Sequence, residues 1–371
     1  MTVAPDAGRT PGAGPVGGHG AREAVTAGVA VVVGAGAVGS FLGGTLGASG
    51  WDVTLLGRRG GGDGSKTELV IDGSKGRRVT AHVRRVDTPE AAPTNPDLVI
   101  LAVRMYDLDA ALDVATRWPD APLITAQNGV GAEAMAAEAR TSPLIACSLT
   151  TAVEPTPSGV ARRRTGGLGI APVRGDTAAL RHDLADAFAD GGLPTVACPD
   201  AASMKWSKLL ANLVANATSG LLDMDAGAVW ADRAGFDLER QELREALAVM
   251  HAQGLKVVSL PGGQVGALLF GLRFPAVIAR PATALAIGRA RGGKDPSLRI
   301  RLRGGGTGPT EARWLNGAVA EAGARLGVAA PVNAALAALV DRVAEDPAAG
   351  ERWRGNPSAL RDAALAWNSA S

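Results

Sequence analysis

The sequence predicts an α/β fold: an N-terminal Rossmann-type, doubly wound parallel sheet followed by an all-α C-terminal domain. Continuous apolar strands alternate with helical segments in the first part of the chain, as in a parallel sheet with crossover helices. A glycine-spaced turn follows the first strand, and from Ala201 onward the sequence reads as helices without convincing strands. The 371 residues suit two domains, since a domain usually has ~100–200 residues.

The first element is the apolar run Val29–Val33, which is typical of a strand buried on both faces. A helix follows to about Ser49, ended by Gly50. The segment Thr67–Val86 alternates weakly around a turn and predicts a hairpin. The remaining predicted strands are Asp52–Leu56, Leu98–Val103, Leu123–Ala126, Leu144–Ala152, Val160–Arg164 and Leu168–Pro172.

These elements divide the chain into three parts. Residues 1–27 are rich in glycine and proline without an apolar period, so we expect a disordered tail. Residues 28–199 form the predicted dinucleotide-binding domain, and residues 200–371 the predicted helical domain for substrate binding and catalysis.

Composition argues against several classes of function. Lys and Arg number 38 against 36 Asp and Glu, and the basic residues are scattered, which does not suit nucleic-acid binding. The most apolar stretch, Gln264–Gly288, is interrupted by arginines and prolines and predicts a buried or amphipathic helical region instead of a membrane span. The two cysteines, Cys147 and Cys198, cannot build a metal cage. Without a visible signal peptide, a reducing cytoplasm is the expected location.

The turn after the first strand matches the G-x-G-x-x-G pattern of dinucleotide-binding loops. Such glycines allow a tight turn and let the backbone approach a pyrophosphate at the positive end of a helix. The alternative is compositional bias, since the chain has 50 glycines. The predicted cofactor-binding residues of this loop are Gly34, Ala35, Gly36, Ala37, Val38 and Gly39.

The end of the second strand indicates which dinucleotide is bound. An NAD site places Asp or Glu there to hold the ribose hydroxyls. This chain instead continues Gly57-Arg58-Arg59. A guanidinium suits a 2′-phosphate, so NADP is favoured, with a solvated arginine pair as the alternative.

A reductase also needs a group that protonates the developing alkoxide. None of the four histidines is well placed, and Tyr106 has Ala110 four residues later, so a Tyr-x-x-x-Lys pair is absent. Lysine remains. In the mainly apolar segment after Ala201, Lys208, Asn212 and Asn216 fall within about 80° of one helix face. This stripe indicates contact with a polar ligand; a solvated face that includes Lys205 is the alternative.

Two further segments bear on the site. Gln127–Gly131 follows the last strand of the first domain, at the carboxyl edge where such sheets bind ligands. Thr310 and Glu311 precede the amphipathic run Trp314–Leu326, where they could instead serve as a cap and as dipole partner of that helix.

Taken together, these residues resemble the ketopantoate reductase (2-dehydropantoate 2-reductase) family from about Val29 to Val340. The resemblance implies that Lys208 is the general acid and that Arg58 takes the NADP phosphate. It further implies a cofactor contact at Arg104, where the family usually has a lysine, and at Asn128. The implied contacts of the keto acid are Asn128, Asn212, Asn216, Ser297 and Glu311.

Two departures stand out. The spacing from Ser297 to Glu311 is two residues longer than the family pattern, and Leu260–Lys294 is longer and more apolar. The expected activity is NADPH-dependent reduction of a branched 2-keto acid, with ketopantoate first. Another 2-keto acid, a 3-hydroxy acid or an imine remains an alternative, as does a non-catalytic NADP sensor. The expected partner is the small keto acid, and a homodimer remains open.

Overall fold

The computed structural model describes residues 27–57, 64–73, 77–164, 166–263, 265–291, 295–305 and 308–367. The predicted tail, apart from Ala27, and Arg58 therefore lie outside the described residues. The described strands form one eleven-stranded sheet. They are β1 (Val29–Val33), β2 (Asp52–Leu56), β3 (Lys66–Asp72), β4 (Arg78–Val86), β5 (Leu98–Leu101), β6 (Leu123–Thr125), β7 (Leu144–Leu149), β8 (Ala152–Thr156), β9 (Gly159–Arg164), β10 (Leu168–Arg174) and β11 (Thr195–Ala197).

The centre of the sheet is parallel, as the apolar runs predict. Its order is β11-β10-β7-β6-β5-β1-β2-β4-β3-β9-β8, and β1 pairs in parallel with both β2 and β5. Four of the five residues of β1 and all of β5 are buried, which explains why both strands are almost purely aliphatic. Because the chain order reverses between β1 and β5, a crevice opens at their carboxyl ends, where open α/β sheets bind ligands.

Antiparallel pairs extend this centre on both sides. The predicted hairpin is present as β3 and β4, while β7 pairs antiparallel with β10 and β8 with β9. The predicted strand Leu144–Ala152 is instead two strands, β7 and β8, and β11 was not predicted. The sheet is therefore mixed, because the short turns after Pro143 reverse the chain where crossover helices would have kept it parallel.

Helices cover the sheet and make up the rest of the chain. The helices beside the sheet are α1 (Ala37–Ala48), α2 (Leu108–Ala115), α3 (Ala132–Ala139) and α4 (Ala178–Asp190). Beyond the last strand lie α5 (Ala201–Leu213), α6 (Ala217–Leu222), α7 (Ala226–Ala231), α8 (Arg233–Ala252), α9 (Val265–Gly271), α10 (Ala276–Arg291), α11 (Ser297–Arg303), α12 (Asn316–Leu326), α13 (Pro331–Glu345) and α14 (Pro357–Leu365).

The apolar stretch 264–288 forms α9 and most of α10. One face of α10 buries Ala279, Thr283 and Ile287, which are four residues apart, while Val277 and Leu285 on the other side are exposed. Among the described helices, none has the length and apolar character needed to cross a membrane. The segment is helical as predicted, but its outer face is more apolar than an ordinary amphipathic helix.

Candidate active site

The glycine-rich loop joins β1 to α1 at the crevice of the sheet. Gly34 has φ of +110°, and a Cβ on Gly39 would lie 1.9 Å from the Gly34 carbonyl oxygen, so both positions require glycine. A Cβ built on Gly36 meets nothing within 4 Å, and no side chain caps the first turn of α1. The loop therefore offers open space and backbone N–H groups at the positive end of a helix, which suits a pyrophosphate.

Helix α5 carries the predicted proton donor. Its N-terminus is capped by Asp200, whose carboxylate accepts hydrogen bonds from the Ala202 and Ser203 amides. Lys208 and Asn212, one turn apart, are half-buried and line a cleft that also contains Gly34–Val38. The helix thus brings the lysine and the nucleotide loop to the same cleft.

The predicted stripe is not one continuous helix, because α5 ends at Leu213 and α6 begins at Ala217. Ala215 between them has φ of +47°, an uncommon backbone conformation for alanine. The Ala215 amide donates a 2.8 Å hydrogen bond to the buried carboxylate of Glu239 on α8. The expectation of a single 80° stripe through Asn216 is therefore wrong, although the break leaves Asn216 lining the same cleft.

The side chain of Asn216 forms hydrogen bonds with the start of α11. Its Oδ1 atom accepts hydrogen bonds from the Ser297 hydroxyl at 3.3 Å and from the Leu298 amide at 3.2 Å. The buried asparagine thus ties the first turn of α11 to the α5–α6 break. Ser297 therefore lies in the cleft beside Asn216 despite its longer spacing from Glu311.

Lys205, considered above as part of a solvated face, is instead only 3% exposed. Its ammonium forms a 3.1 Å ion pair with Glu133 on α3 and donates a 2.6 Å hydrogen bond to the Gln127 carbonyl. Glu133 also accepts a hydrogen bond from Thr125 at the end of β6. The solvated-face alternative is wrong for Lys205, which joins α5 to the carboxyl edge of the sheet.

The segment after β6 packs directly against the turn before α12. A Cβ on Gly129, which has φ of +84°, would lie 2.4 Å from the Trp314 carbonyl oxygen, and the Val130 amide donates to that same oxygen at 3.3 Å. This close approach places exposed Asn128 and half-buried Glu311 on the same cleft. The same close approach explains why residue 129 is a glycine.

Glu311 meets Arg104 across the cleft. Arg104 follows the end of β5, and its Nη1 atom lies 2.7 Å from Glu311 Oε2. Arg104 is 58% exposed and Glu311 13% exposed. Thr310, considered above as a helix cap, accepts a hydrogen bond from the Ala312 amide and donates one to Asp341. Its hydroxyl therefore binds the first amide of the 3₁₀ turn Ala312–Trp314 that precedes α12.

These residues surround one cleft with a volume of about 2350 Å³. Every described residue predicted for the site lines this cleft except Gly39. Gly39 is buried in the first turn of α1, against the Gly34 carbonyl oxygen. Sequence reasoning included Gln127 in the segment after β6 but missed its role: its buried amide donates to the Leu101 carbonyl at 3.0 Å and so holds the ends of β5 and β6 together. It also missed the cleft wall contributed by α9 and α10, including Leu268 and Ile287. The sequence signal that could have indicated this wall was the length and apolar character of Leu260–Lys294.

Thiolate and metal chemistry find no support among the described residues. Cys147 and Cys198 are buried and unpaired with each other. Burial raises the pKa of Cys147 to about 12, so its thiol stays protonated. No group of three or more His, Cys, Asp or Glu side chains in the described part is placed to hold a metal ion.

A nucleotide loop facing a lysine-bearing helical region across one cleft defines a Rossmann-type oxidoreductase. Residues 30–173 match the family described as "Ketopantoate reductase PanE/ApbA", and residues 200–344 match "Ketopantoate reductase PanE/ApbA C terminal". The chain is 31% identical over 320 residues to a 2-dehydropantoate 2-reductase of Halobacterium salinarum, covering 84% of this chain and 97% of the relative. It therefore belongs to the ketopantoate reductase family.

Solved structures share the fold. The crystal structure of a PanE/ApbA family ketopantoate reductase from Ralstonia eutropha is 25% identical, with a TM-score of 0.69, and the match covers 86% of this chain and 99% of that one. A D-mandelate dehydrogenase solved with NADH and anilino(oxo)acetate is 18% identical, with a TM-score of 0.68 over 88% of this chain and 99% of that one. The second likeness concerns the fold alone.

Proposed function

We propose that this protein reduces a branched 2-keto acid with NADPH, and that the substrate is ketopantoate, which gives pantoate. The observation that carries the proposal is the shared cleft: Lys208 and Asn212 line it together with the glycine-rich loop. Membership of the ketopantoate reductase family and the Halobacterium salinarum relative support the same reaction. In this proposal residues 28–199 bind the cofactor and residues 200–371 bind the substrate.

The residues present fit a nicotinamide dinucleotide. The uncapped N-terminus of α1 and the open space at Gly36 suit the pyrophosphate, and the cleft is large enough for cofactor and substrate together. When bound, the dinucleotide supplies the hydride. Ala35, Ala37, Val38 and Arg104 line the same cleft and are proposed to contact it.

This chain's own residues then bind the keto acid and move the proton. Lys208 donates a proton from Nζ to the carbonyl oxygen as negative charge develops there. Asn128, Asn212 and Asn216, with Ser297 and Glu311, orient the substrate so that its carbonyl carbon can receive the hydride while its oxygen lies near Lys208, a positioning effect that can contribute several kcal/mol.

The preference for NADPH is proposed to depend on Arg58. Arg58→Ala should weaken NADPH binding by ~1.5–3 kcal/mol, the usual value of a hydrogen bond to a charged group, while NADH binding changes little. Comparing the KM values of the two cofactors for both proteins tests this. Equal weakening of both cofactors would count against a 2′-phosphate contact.

A panel of 2-keto acids, assayed by NADPH absorbance, tests the substrate. We expect ketopantoate to give the highest kcat/KM. The apolar wall formed by Leu268 and Ile287 favours a second candidate, a 2-keto acid with a larger apolar side chain. No turnover of any 2-keto acid, despite NADPH binding, would favour the NADP-sensing alternative. A homodimer also stays a prediction, which light scattering coupled to size-exclusion chromatography would check.

A further inference from the structure

A second cavity of about 570 Å³ adjoins the cleft on the other side of Lys208. Helices α5, α8 and α9 line it, together with the segment 257–263, and it is open to solvent where Arg244, Arg273 and Phe270 are exposed. Lys208 and Ala211 line both cavities, so α5 forms the wall between them. Nothing in the proposed reaction requires this second space.

Three arginines give the cavity its charge. Arg240 and Arg244 lie one turn apart on α8, and Arg273 follows α9. No Asp or Glu is among the described residues that line the cavity. Burial, and then the neighbouring charge of Arg240, lower the pKa of Arg244.

The hydrogen-bonding capacity of these arginines is only partly used. Arg240 donates from Nη2 to the Leu272 carbonyl at 3.2 Å, but its Nε is buried without a hydrogen-bond partner in the described structure. Within that part of the chain, Arg244 and Arg273 form no ion pair. A guanidinium pair without a carboxylate suits an anion that comes from solution, since guanidinium groups bind carboxylates and phosphates with paired hydrogen bonds.

Apolar side chains make up much of the remaining wall, beside the polar Thr150, Ser207, His251 and Ser259. Leu243 and Leu247 on α8 and Leu269 and Phe270 on α9 belong to this apolar part. A small inorganic anion would leave this surface in contact with water. The cavity therefore matches a ligand in which one end is anionic and the other is hydrocarbon.

We propose that this cavity, the arginine pocket, binds a carboxylate or phosphate monoester that carries an apolar chain. The anionic group lies between Arg244 and Arg273, and the chain lies against the leucines of α8 and α9. Because Lys208 lines the pocket as well as the cleft, the bound anion attracts the same ammonium that a 2-keto acid would contact. Binding in the pocket therefore weakens binding of the substrate.

Isothermal titration calorimetry of the full chain, without cofactor or substrate, tests the site. The probes are octanoate and octyl phosphate, with octan-1-ol and inorganic phosphate as ligands that each lack one half of the chemistry. We expect the two amphipathic anions to bind with one-to-one stoichiometry and the control ligands to bind at least tenfold more weakly. The tighter of the two anions identifies the carboxylate or the phosphate class.

The matched variants separate the pocket from general surface charge. Arg244→Gln/Arg273→Gln should weaken binding of the tighter anion at least tenfold, whereas Arg233→Gln/Arg325→Gln removes two exposed arginines outside the pocket and should change it less than twofold. The proposal is overturned if neither anion binds the wild type. It is also overturned if the two double variants bind the tighter anion with the same affinity.

A kinetic measurement tests the coupling to the cleft, and this measurement alone rests on the proposed function. The tighter anion should raise the KM for the 2-keto acid at least threefold in the wild type and leave it unchanged in Arg244→Gln/Arg273→Gln. An unchanged KM in the wild type at saturating anion overturns the coupling. Calorimetry gives its answer even if the protein reduces no 2-keto acid.

Discussion

Two lysines three residues apart on α5 have different environments, which makes them the sharpest contrast at the scale of single residues. Lys208 is half-buried and lines the cleft, whereas Lys205 is buried against Glu133. Lys208→Ala should lower kcat by ~10²–10⁴, the usual contribution of a general acid. The affinity for NADPH, measured by fluorescence titration, should change little, because the proposed pyrophosphate site is the loop between β1 and α1 and Lys208 lies on α5. A Lys208→Ala enzyme with a near-normal kcat would exclude Lys208 as the proton donor.

Lys205 should instead affect stability. Lys205→Met leaves Glu133, which is 14% exposed, beside an apolar side chain. Removing one partner of a buried ion pair typically lowers the free energy of unfolding by ~3–5 kcal/mol. Urea denaturation of Lys205→Met and of Lys205→Met/Glu133→Gln measures this. The double variant should recover part of the loss, and a single variant as stable as the wild type would contradict the structural role.

The sequence could not tell these lysines apart, because positions three residues apart lie on the same side of a helix. What separates them is Glu133, which is far away along the chain. The polar spacing after Ala201 therefore predicted a helix whose Lys208 and Asn212 line the cleft. It did not predict which lysine is buried in an ion pair.

At the scale of elements, α8 supports the site through the buried carboxyl groups of two glutamates. Glu239 accepts hydrogen bonds from the Ala215 amide and the Thr218 hydroxyl and thereby holds the α5–α6 break. Three residues later, Glu242 accepts a 2.6 Å hydrogen bond from Asn316, the first residue of α12. One helix thus positions both the turn that carries Asn216 and the helix that follows Glu311.

The charge state of Glu242 gives a test of this support. Burial, and then the charge of Glu239, raise the pKa of Glu242 well above 4.5, while the Asn316 hydrogen bond opposes the shift and Glu245 adds to it. The folded protein therefore keeps a proton that the unfolded chain loses near 4.5. This group's contribution to the free energy of unfolding is fully present below that pH and falls as the pH rises, by at most ~1.4 kcal/mol per unit.

Glu242→Gln replaces the protonated carboxyl with a neutral amide of similar shape. The difference in unfolding free energy, variant minus wild type, should therefore increase with pH above 4.5. Urea denaturation from pH 4.5 to 8 measures it, with Glu321→Gln, at an exposed position of α12, as the control. Parallel pH curves for variant and wild type would mean that Glu242 is ionised in the folded state.

The break at Ala215 also shows why an element boundary escaped prediction. Nothing between Leu213 and Ala217 is glycine or proline, so the local sequence favours a continuous helix. The hydrogen bond that the Ala215 amide donates to Glu239, 24 residues later, overrides that preference. By contrast, β1 and β5 were predicted closely because their burial on both faces leaves a continuous aliphatic run in the sequence.

At the scale of the whole molecule, the sequence predicted the parallel centre of the sheet and the change to helices from Ala201 onward. It did not predict that β8 and β9 would join the outer edge beside β3, because β9 pairs with a strand about 90 residues earlier. Nor did it predict how the Asn128 loop packs on Trp314. Each of these contacts joins segments that are distant in sequence, and local patterns carry no information about such pairings.

The ion pair of Arg104 and Glu311 joins the end of the sheet to the turn before α12 across the cleft. Because Arg104 is 58% exposed, water screens the pair, and Glu311→Gln should change the free energy of unfolding by less than ~1 kcal/mol. The loss of a hydrogen bond to a charged group is instead expected in the reaction, at ~1.5–3 kcal/mol or roughly 10–150-fold in kcat/KM for the 2-keto acid. Urea denaturation and steady-state kinetics of Glu311→Gln, Arg104→Ala and the double variant separate the two effects. A loss of several kcal/mol in stability with full activity would show that the pair is a structural clamp between sheet and helices and that Glu311 does not orient the substrate.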